Sequence, residues 1–463
     1  MSEAAVLPAQ QRTRSGVLLV PNSVTAFAVR AHAARTATRT LDLQYYMWHE
    51  DVTGQLLARD VLEAADRGVR VRLLLDDLYV RRRERALAAL TCHPGVEVRL
   101  YNPFQIRRLG LLGDLLELLF ARFRLNHRMH NKAWVADRRL AVCGGRNIGD
   151  EYFDASGQFN FRDLDLLLTG DAARQATTAF ERYWSNRRVR PIGQVATLKP
   201  TEADLRDLRG RLDAVAASPD ATQFLRRVEE APATVDRTTE MDANAVRVVS
   251  DPPGKGGRGR GGRPEMLTAV RGALGAAQRR ILLVSPYFVP GRRGARQLAQ
   301  LARNGVEVSV LTNSLAATDV LAVHGGYAHY RRRLLRAGIA IHELKRGGQQ
   351  GQSLFGSGRA SLHTKAFVVD DELVFVGSFN LDPRSAYLNT EMGAFVRHPG
   401  LAAEMRREFE RMTDGERSWA VEPRGLRLAW TDGTRTLRHE PDSSPARRIL
   451  ARILGWLPLE PQL

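Results

Sequence analysis

The sequence is poor in cysteine and contains no long apolar run. Only Cys92 and Cys143 occur among 463 residues, which excludes a disulfide framework and a cysteine-based metal cluster and indicates a reducing compartment. No segment offers the roughly 20 uninterrupted apolar residues of a membrane-spanning helix. The first residues also lack the basic and apolar regions of a signal peptide. We therefore expect a cytoplasmic chain that touches any membrane only at its surface.

Lysine is also scarce, although the chain is strongly basic. The formal net charge is +18, which favours anionic partners such as lipid headgroups, nucleic acids or other phosphates. Arginine supplies most of this charge, so a lysine inside a motif is expected to serve a purpose that a guanidinium cannot. The lysines that remain are Lys132, Lys199, Lys255, Lys345 and Lys365.

The chain contains an internal duplication of one structural unit. Residues 40–77 and 280–314 each read as a buried strand, a turn, an amphipathic helix capped by glycine and a second apolar strand. Such β-α-β units predict parallel sheets covered by helices. A second matching block follows each unit, beginning at Arg128 and at Ser361. We predict an α/β fold with two fused α-β-α sandwich lobes related by pseudo-two-fold symmetry.

Four segments follow from this duplication. We predict a first lobe at residues 1–200, a helical connector at 201–244, a second lobe at 245–420, and a tail at 421–463 with an amphipathic helix. The glycine-rich segment 254–262 is predicted to be a flexible basic loop, with phosphate binding as the alternative.

Both matching blocks carry the pattern His-x-Lys-x4-Asp, and two chance occurrences at equivalent positions are improbable. Alternation along a strand puts the histidine and the lysine on one face, where a ring nitrogen and an ammonium can meet one phosphate. The aspartate lies an odd number of positions away, in a predicted hairpin turn, so we expect it to support the fold more than the chemistry. The motif residues are His130, Lys132, Asp137, His363, Lys365 and Asp370.

Each motif strand is predicted to return through LAVCGGRN or LVFVGSFN, which brings Asn147 and Asn380 beside the histidine and lysine. Small residues there, Ser378 among them, would let backbone N–H groups approach phosphate oxygens. An ordinary glycine-containing strand end is the alternative. His127 and His130 lie three residues apart, but no acidic or cysteine ligands accompany them, so we predict no metal site.

In these motifs the sequence resembles bacterial members of the phospholipase D superfamily, which carry two such HKD motifs, and above all the cardiolipin synthases of the C type. The segments RMHNK, GGRNIGDEYF, TNSLAATDV, GSFNLDPRS and LNTE carry the resemblance, which runs from about residue 40 to the C-terminal LPLE. It implies two phospholipase-D-like lobes with one active site at their interface.

The resemblance also implies the role of each motif residue. His130 would be the nucleophile that forms a phosphatidyl-histidine, and His363 would protonate the departing alkoxide and then deprotonate the incoming hydroxyl. Lys132 and Lys365, with Asn147 and Asn380, would hold the non-bridging oxygens. No metal or other cofactor is implied.

An acidic residue orients each histidine in this family. Glu391 in LNTE matches that position for His363, and Asp163 in FRDLD is the best counterpart for His130, with Asp165 as the alternative. Each carboxylate is thus expected to serve the histidine of its own half of the chain.

The implied reaction transfers a phosphatidyl group from phosphatidylethanolamine or phosphatidylglycerol to the hydroxyl of phosphatidylglycerol, giving cardiolipin. A hydrolase of phospholipids or nucleic acid, and a catalytically inactive membrane scaffold, are the rival hypotheses. Apolar segments near the site favour lipid over nucleic acid. We expect peripheral attachment to the cytoplasmic face of the bacterial inner membrane, while the oligomeric state and any accessory protein stay open.

Two segments are predicted to contact the membrane. Residues 109–123 combine leucine and phenylalanine with a few acids, and residues 445–460 place arginines beside isoleucine, leucine and tryptophan, as interfacial helices do. For the first segment, packing on its own lobe is the alternative. His324 and Tyr327 resemble a family segment on the acceptor side, with a packed helix as the alternative.

Overall fold

The computed structural model describes residues 14–80, 84–104, 126–196, 199–231, 246–255, 262–347, 360–425, 427–457 and 460–462. Within these residues, the chain forms two large mixed sheets covered by helices, and one small sheet of two strands.

The first lobe is built on eight described strands. In chain order, the strands of this half are β1 (Val17–Val20), β2 (Thr40–Tyr45), β3 (Arg70–Asp76), β4 (Val96–Tyr101), β5 (Ala133–Ala136), β6 (Leu140–Gly144), β7 (Asn160–Arg162), β8 (Asp165–Thr169) and β9 (Val189–Pro191). Their spatial order is β1-β8-β6-β5-β2-β3-β4-β9, and β7 lies outside this sheet.

The second lobe is built on ten described strands. In chain order, the strands of this half are β10 (Val246–Ser250), β11 (Arg280–Val284), β12 (Glu307–Asn313), β13 (Ala340–Leu344), β14 (Ala360–Leu362), β15 (Ala366–Val369), β16 (Leu373–Gly377), β17 (Met392–Arg397), β18 (Ser418–Arg424), β19 (Arg427–Thr431) and β20 (Thr436–Leu437). Their spatial order is β10-β17-β16-β15-β11-β12-β13-β18-β19-β20, and β14 pairs with β7.

The strand orders confirm the duplication, because the first eight positions of the two sheets correspond one by one. The sheets as a whole are mixed, because the strands of the predicted β-α-β units are parallel while the predicted motif hairpins are antiparallel. Strands β2, β3 and β4 run parallel, as do β11, β12 and β13, whereas β5 pairs antiparallel with β2 and β6. The reason is the tight turn between β5 and β6, which can join only antiparallel neighbours.

Helices cover the sheets on their outer faces and line the interface between the lobes. They are α1 (Ser23–Thr36), α2 (Val52–Asp66), α3 (Glu84–Leu90), α4 (Asp171–Trp184), α5 (Ile192–Val195), α6 (Glu202–Ala216), α7 (Pro219–Glu230), α8 (Glu265–Gly275), α9 (Gly291–Arg303), α10 (Leu321–Arg336), α11 (Pro383–Tyr387), α12 (Pro399–Thr413) and α13 (Pro445–Trp456). Several begin at polar caps that the sequence supplies, such as Asp51 before α2 and Ser444 before α13.

One apolar core joins the two lobes. It contains Leu166 and Leu168 from β8, Val374 and Val376 from β16, and alanines, methionines and other apolar residues of α4 and α12. Gln175 of α4 adds polar contacts, because its amide accepts from Val248 N at 2.8 Å. The lobes are therefore packed against each other as one unit.

Two predicted boundaries differ from the structure. Helices α6 and α7, predicted as a connector, belong to the first lobe, because Leu208, Leu212 and Phe224 are buried in the core of that lobe. The predicted boundary at residue 420 falls inside β18, which pairs with β13, so the second sheet continues into the predicted tail.

Two further predictions concern segments that lie wholly or mostly outside the described residues. The predicted interfacial helix at 109–123 lies outside the described residues, as does most of the glycine-rich segment. Lys255 at its start is buried and ordered, with Nζ 2.6 Å from Asp251 Oδ2 and 2.6 Å from Ser385 O. Among the described helices, none combines the length and apolarity needed to cross a bilayer.

Candidate active site

The two motif histidines lie on extended segments that lead into β5 and β15, and not on the strands themselves. Each segment is paired with the opposite lobe. His130 N donates to Thr390 O at 2.9 Å, and His363 N donates to Arg162 O at 2.8 Å, at the end of the parallel β7–β14 pair. Backbone hydrogen bonds across the interface therefore fix both histidines at the boundary between the lobes.

Each motif histidine is paired with a carboxylate of the opposite lobe. His130 Nδ1 lies 2.8 Å from Glu391 Oε2, and His363 Nδ1 lies 2.6 Å from Asp163 Oδ2. The expectation that each carboxylate serves the histidine of its own half was therefore wrong. The cause is the interlobe pairing, since Glu391 directly follows the residue that holds His130.

The alternative acid, Asp165, does not contact a histidine. Its carboxylate is buried 3.0 Å from Arg30 Nη2 and 3.2 Å from Arg146 Nη1. Arg146 also donates to main-chain oxygens of Val20 and Asp163. Asp165 thus neutralises two buried guanidinium groups and stabilises the first lobe beside the site.

Both imidazoles are held in their neutral form. Burial lowers the pKa of His130 to about 4, and the ammonium groups of Lys132 and Lys365 also lower it, while Glu391 raises it. Burial and the same two lysines also hold the pKa of His363 well below its ordinary value. With Nδ1–H donated to a carboxylate, Nε2 keeps its lone pair, which is the form that a nucleophile or a general base requires.

The two lysines are buried beside the histidines. Burial lowers the pKa of Lys132 to about 7 and that of Lys365 to about 8. Lys132 Nζ donates to His130 O at 2.7 Å, and Lys365 Nζ donates to His363 O, so each ammonium is tied to its own motif. The remaining N–H groups are available to an anionic ligand, whose charge would restore the protonated state.

The motif aspartates hold hairpin turns. Asp137 has φ 52°, and its carboxylate accepts the backbone N–H groups of Arg39 and Thr40 at 2.7 and 2.9 Å. Asp370, with φ 55°, does the same for Arg279 and Arg280 at 2.7 and 2.9 Å. These contacts support the predicted structural role, because each aspartate ties the motif strand to the start of its neighbour.

The residues predicted to hold phosphate oxygens occupy three different settings. Asn147 Nδ2 donates to Tyr152 Oη at 2.9 Å, whereas the buried Oδ1 of Asn380 has no partner among the described residues. Ser378 Oγ donates to Glu391 Oε2 and accepts from Met392 N at 3.0 Å. The structure therefore places Ser378 in the carboxylate network, where we had predicted a phosphate contact.

Other neighbours of the histidines were not predicted. Ser385 Oγ donates to Glu391 Oε1 at 2.8 Å. The ring of Tyr46 lies 5.1 Å from that of His130, and the ring of Phe161 lies 4.8 Å from that of His363. Ser385 lies inside the GSFNLDPRS block and Phe161 inside FRDLD, so both had a signal in the sequence, whereas no quoted block marks Tyr46.

His324 and Tyr327, which resemble an acceptor-side segment, are packed inside the second lobe. His324 Nε2 lies 3.4 Å from Glu440 Oε1, and Tyr327 Oη donates to Glu343 Oε1 at 2.8 Å. These contacts favour the packed helix. His127 Nδ1 contacts Leu388 O at 3.0 Å, a contact within the fold.

One group of metal-ligand type occurs among the described residues. His49 Nδ1 lies 3.3 Å from Glu151 Oε1 and 3.7 Å from Asp51 Oδ2. Asp51, however, already caps α2 through Gly54 N and accepts from Asp150 N. This cluster therefore contributes to a local fold contact, and the absence of a metal from the reaction stays a prediction.

Two lobes of the same strand order, each supplying a histidine and a lysine at the boundary between them, define an enzyme of the phospholipase D superfamily. The sequence matches the family described as "Cardiolipin synthase, PLD-like domain" over residues 31–184 and 270–413, and the chain belongs to this family. Each matched segment lies within one of the two lobes.

Relatives agree with this assignment over nearly the full length. Cardiolipin synthase C of Escherichia coli (strain K12) is 40% identical over 474 residues, covering 99% of this chain and 98% of that protein. An uncharacterized protein of Helicobacter pylori (strain ATCC 700392 / 26695) is 32% identical, covering 97% of this chain and 89% of that protein. The crystal structure of phosphatidylserine synthase from Haemophilus influenzae Rd KW20 shares the fold, with a TM-score of 0.64 and 15% identity, over 97% of this chain and 95% of that chain.

Proposed function

We propose that this enzyme synthesises cardiolipin by transferring a phosphatidyl group from a donor phospholipid to the hydroxyl of phosphatidylglycerol. The observation that carries the proposal is the pair of neutral imidazoles, each bound to a carboxylate of the opposite lobe and flanked by a buried lysine. The 40% identity to cardiolipin synthase C supports the choice of product.

In the first half-reaction, His130 Nε2 attacks the phosphorus of the donor and forms an N–P bond. The P–O bond to the departing headgroup breaks, and protonated His363 gives its proton to that oxygen. His363 is neutral in the free site, and the negative charge of a bound phosphodiester favours its protonation. In the second half-reaction, His363 accepts the proton of the phosphatidylglycerol hydroxyl, which attacks phosphorus and releases His130.

The two carboxylates differ in a way that supports these roles. Burial would raise the pKa of Glu391, but His130, Lys132 and Ser378 outweigh it and lower the pKa below its ordinary value. Burial raises the pKa of Asp163, in spite of its basic neighbours. An ionised Glu391 stabilises the positive charge that develops on His130 during attack, which suits the nucleophile.

Lipid is the substrate class that the surroundings of the site favour. Tyr79 is 40% exposed and lies 5.0 Å from Tyr46, which contacts His130. Phe159 is 37% exposed and lies 4.9 Å from Phe161, which contacts His363. Exposed apolar side chains on both sides of the histidines suit acyl chains at a bilayer surface.

An apolar cavity of about 620 Å³ adds to this argument. One of its walls is formed by Phe379, Leu381 and Pro383, which surround Asn380, and another by Leu267 and Leu274 of α8. A cavity of this size, next to the asparagine that we predict to bind phosphate, can take part of an acyl chain.

The donor and the location are finer proposals. The resemblance to the C type implies phosphatidylethanolamine as donor, with release of ethanolamine, and phosphatidylglycerol as the other donor of the family. We propose peripheral attachment at the cytoplasmic face of the bacterial inner membrane, supported by the exposed apolar face of α13.

The test is to incubate the purified enzyme with isotope-labelled phosphatidylglycerol, with and without phosphatidylethanolamine, and separately with DNA. We expect labelled cardiolipin, with ethanolamine released when phosphatidylethanolamine is present. His130→Ala should abolish the product, whereas Glu372→Gln, an exposed carboxylate paired with Arg397, should not. Phosphatidic acid or nucleotides in place of cardiolipin would identify a hydrolase and refute the synthase.

A further inference from the structure

Helix α13 is attached to the protein by its small residues. Ala451 is buried, and Gly455 lies one turn further along the same face. A Cβ atom added at Gly325 of α10 would lie 2.6 Å from Ala451 O and 2.8 Å from Gly455 N. The backbones of α13 and α10 therefore touch, and the helix is fixed in this orientation.

This attachment leaves the large apolar side chains of α13 in solvent. Ile449 is 57% exposed, Leu450 46%, Ile453 50% and Trp456 83%. A surface helix of a water-soluble domain normally turns such residues toward the core. Here the small residues face the core instead. The large apolar side chains on the outer face can leave water only by entering another apolar environment, such as a bilayer.

A basic cavity of about 860 Å³ lies beside this helix, bordered by α10, β19 and α13. Arg331 in the lining of this cavity is paired with a carboxylate. Five other arginines of the lining form no ion pair with any carboxylate of the described residues. They are Arg332, Arg427, Arg438, Arg448 and Arg452.

The acidic side chain in the lining of this basic cavity is already neutralised. Glu440 Oε1 lies 2.6 Å from Arg331 Nη2 and 3.4 Å from His324 Nε2. This buried network closes the inner wall of the cavity, while Arg448 and Arg452 come from α13 itself. The charge around the cavity is therefore positive and lacks a counter-ion from the described chain.

We propose that the basic cavity binds the phosphate headgroup of an anionic phospholipid in the bilayer, as a second lipid site apart from the catalytic centre. Arginine suits this ligand, because its guanidinium can bind two phosphate oxygens at once. A lipid would satisfy both the basic cavity and the exposed apolar face of α13. Its headgroup pairs with the arginines, while its acyl region surrounds Ile453 and Trp456. A free phosphate would leave those side chains in water.

The second lipid site is connected to the active site by one short segment. Arg447 of α13 donates to Leu315 O at 2.9 Å and to Thr318 O at 2.7 Å. On its other side, this segment is held by Ser361 Oγ, which donates to Ala317 O at 3.0 Å, two residues before His363. Lipid bound beside α13 would therefore be linked through this segment to the strand that leads to His363.

The experiment measures binding of the full-length enzyme to vesicles of phosphatidylcholine, alone or mixed equally with phosphatidylglycerol. Replacing Arg448 and Arg452 together by glutamine should weaken binding to the anionic vesicles about 25-fold, since each basic residue at such a surface contributes about fivefold. The matched control replaces Arg206 and Arg226, two exposed arginines of α6 and α7, by glutamine and should bind like the wild type. Equal losses in both double variants, or no loss in either, would overturn the proposal.

A second variant separates headgroup recognition from diffuse attraction. Replacing Arg448 and Arg452 by lysine keeps the charge but removes bidentate binding, so we expect binding weaker than wild type and tighter than with glutamine. Binding equal to the wild type would refute a headgroup site. His130→Ala should bind vesicles normally, so failure of the proposed reaction and failure of this lipid site give different results.

Discussion

At the scale of single residues, the proposed chemistry depends on two carboxylates acting through Nδ1 of the histidines. Glu391 and Asp163 fix the ring orientation and tautomer of His130 and His363, respectively. Glu391 is in turn held by Ser378 and by Ser385 at its two oxygens. The crossed arrangement means that each half of the chain is incomplete without the other.

Glu391→Gln should lower turnover by about 10²- to 10⁴-fold, because the neutral amide no longer stabilises the charge on His130 during attack. Burst kinetics and mass spectrometry of the acid-labile adduct on His130 measure the effect, and we expect slower adduct formation. Asp163→Asn should disable His363, which acts in both half-reactions, so we expect slower formation and also slower breakdown of the adduct. An adduct on His363 in the wild type would reverse the two roles.

The depressed pKa values of the lysines predict the alkaline side of the pH profile. Lys132 and Lys365 carry their charge below about pH 7 and pH 8, so kcat/KM should fall as the pH rises through this range. In Lys132→Arg, the guanidinium stays charged, and the fall should move toward pH 8. Lys345→Arg, whose lysine pairs with Asp432, should leave the profile unchanged. An identical profile for Lys132→Arg would contradict the assignment.

At the scale of secondary-structure elements, hairpin turns hold the motif strands in register. Asp137→Ala should lower the free energy of unfolding by about 1–2 kcal/mol, because backbone N–H groups at the start of β2 lose their acceptor and alanine tolerates a positive φ poorly. Thermal or urea unfolding measures this loss. Turnover by the folded fraction should stay close to wild type, and abolished turnover with an intact fold would give Asp137 a direct chemical role.

Contact between α10 and α13 depends on the absence of a side chain at Gly325. Gly325→Ala should weaken the docking of α13 by about 1–3 kcal/mol, since its Cβ overlaps the backbone of the partner helix. Limited proteolysis should then release fragments cut within residues 445–456. Gly272→Ala is the matched control, because nothing lies within 4 Å of its Cβ and alanine favours a helix. Equal protease resistance in both variants would contradict the packing.

At the scale of the whole molecule, the interlobe core and the crossed strands hold the active site together without help from the connection between the lobes. A protease site inserted within residues 232–245 and then cut should leave one particle on gel filtration that keeps most of its turnover. The uncut form of the same variant is the control. Separation of the halves at low protein concentration would show that the interlobe contacts alone are insufficient.

The sequence by itself determined the duplication, the two HKD motifs and the family, because repeated spacing and rare lysines are visible along one chain. It also indicated that Asp137 and Asp370 support turns, since the odd spacing and the hairpin turn are local features of the sequence. These predictions needed no knowledge of which segments become neighbours.

Only the tertiary structure decided which carboxylate serves which histidine, and that Ser378 holds Glu391. Core packing also showed that α6 and α7 belong to the first lobe, and the strand order showed that the second sheet extends beyond residue 420. The physical reason is the same in each case. The partners come from separate segments, often of different lobes, and backbone pairing across the interface brings them together without any spacing that marks it along the chain.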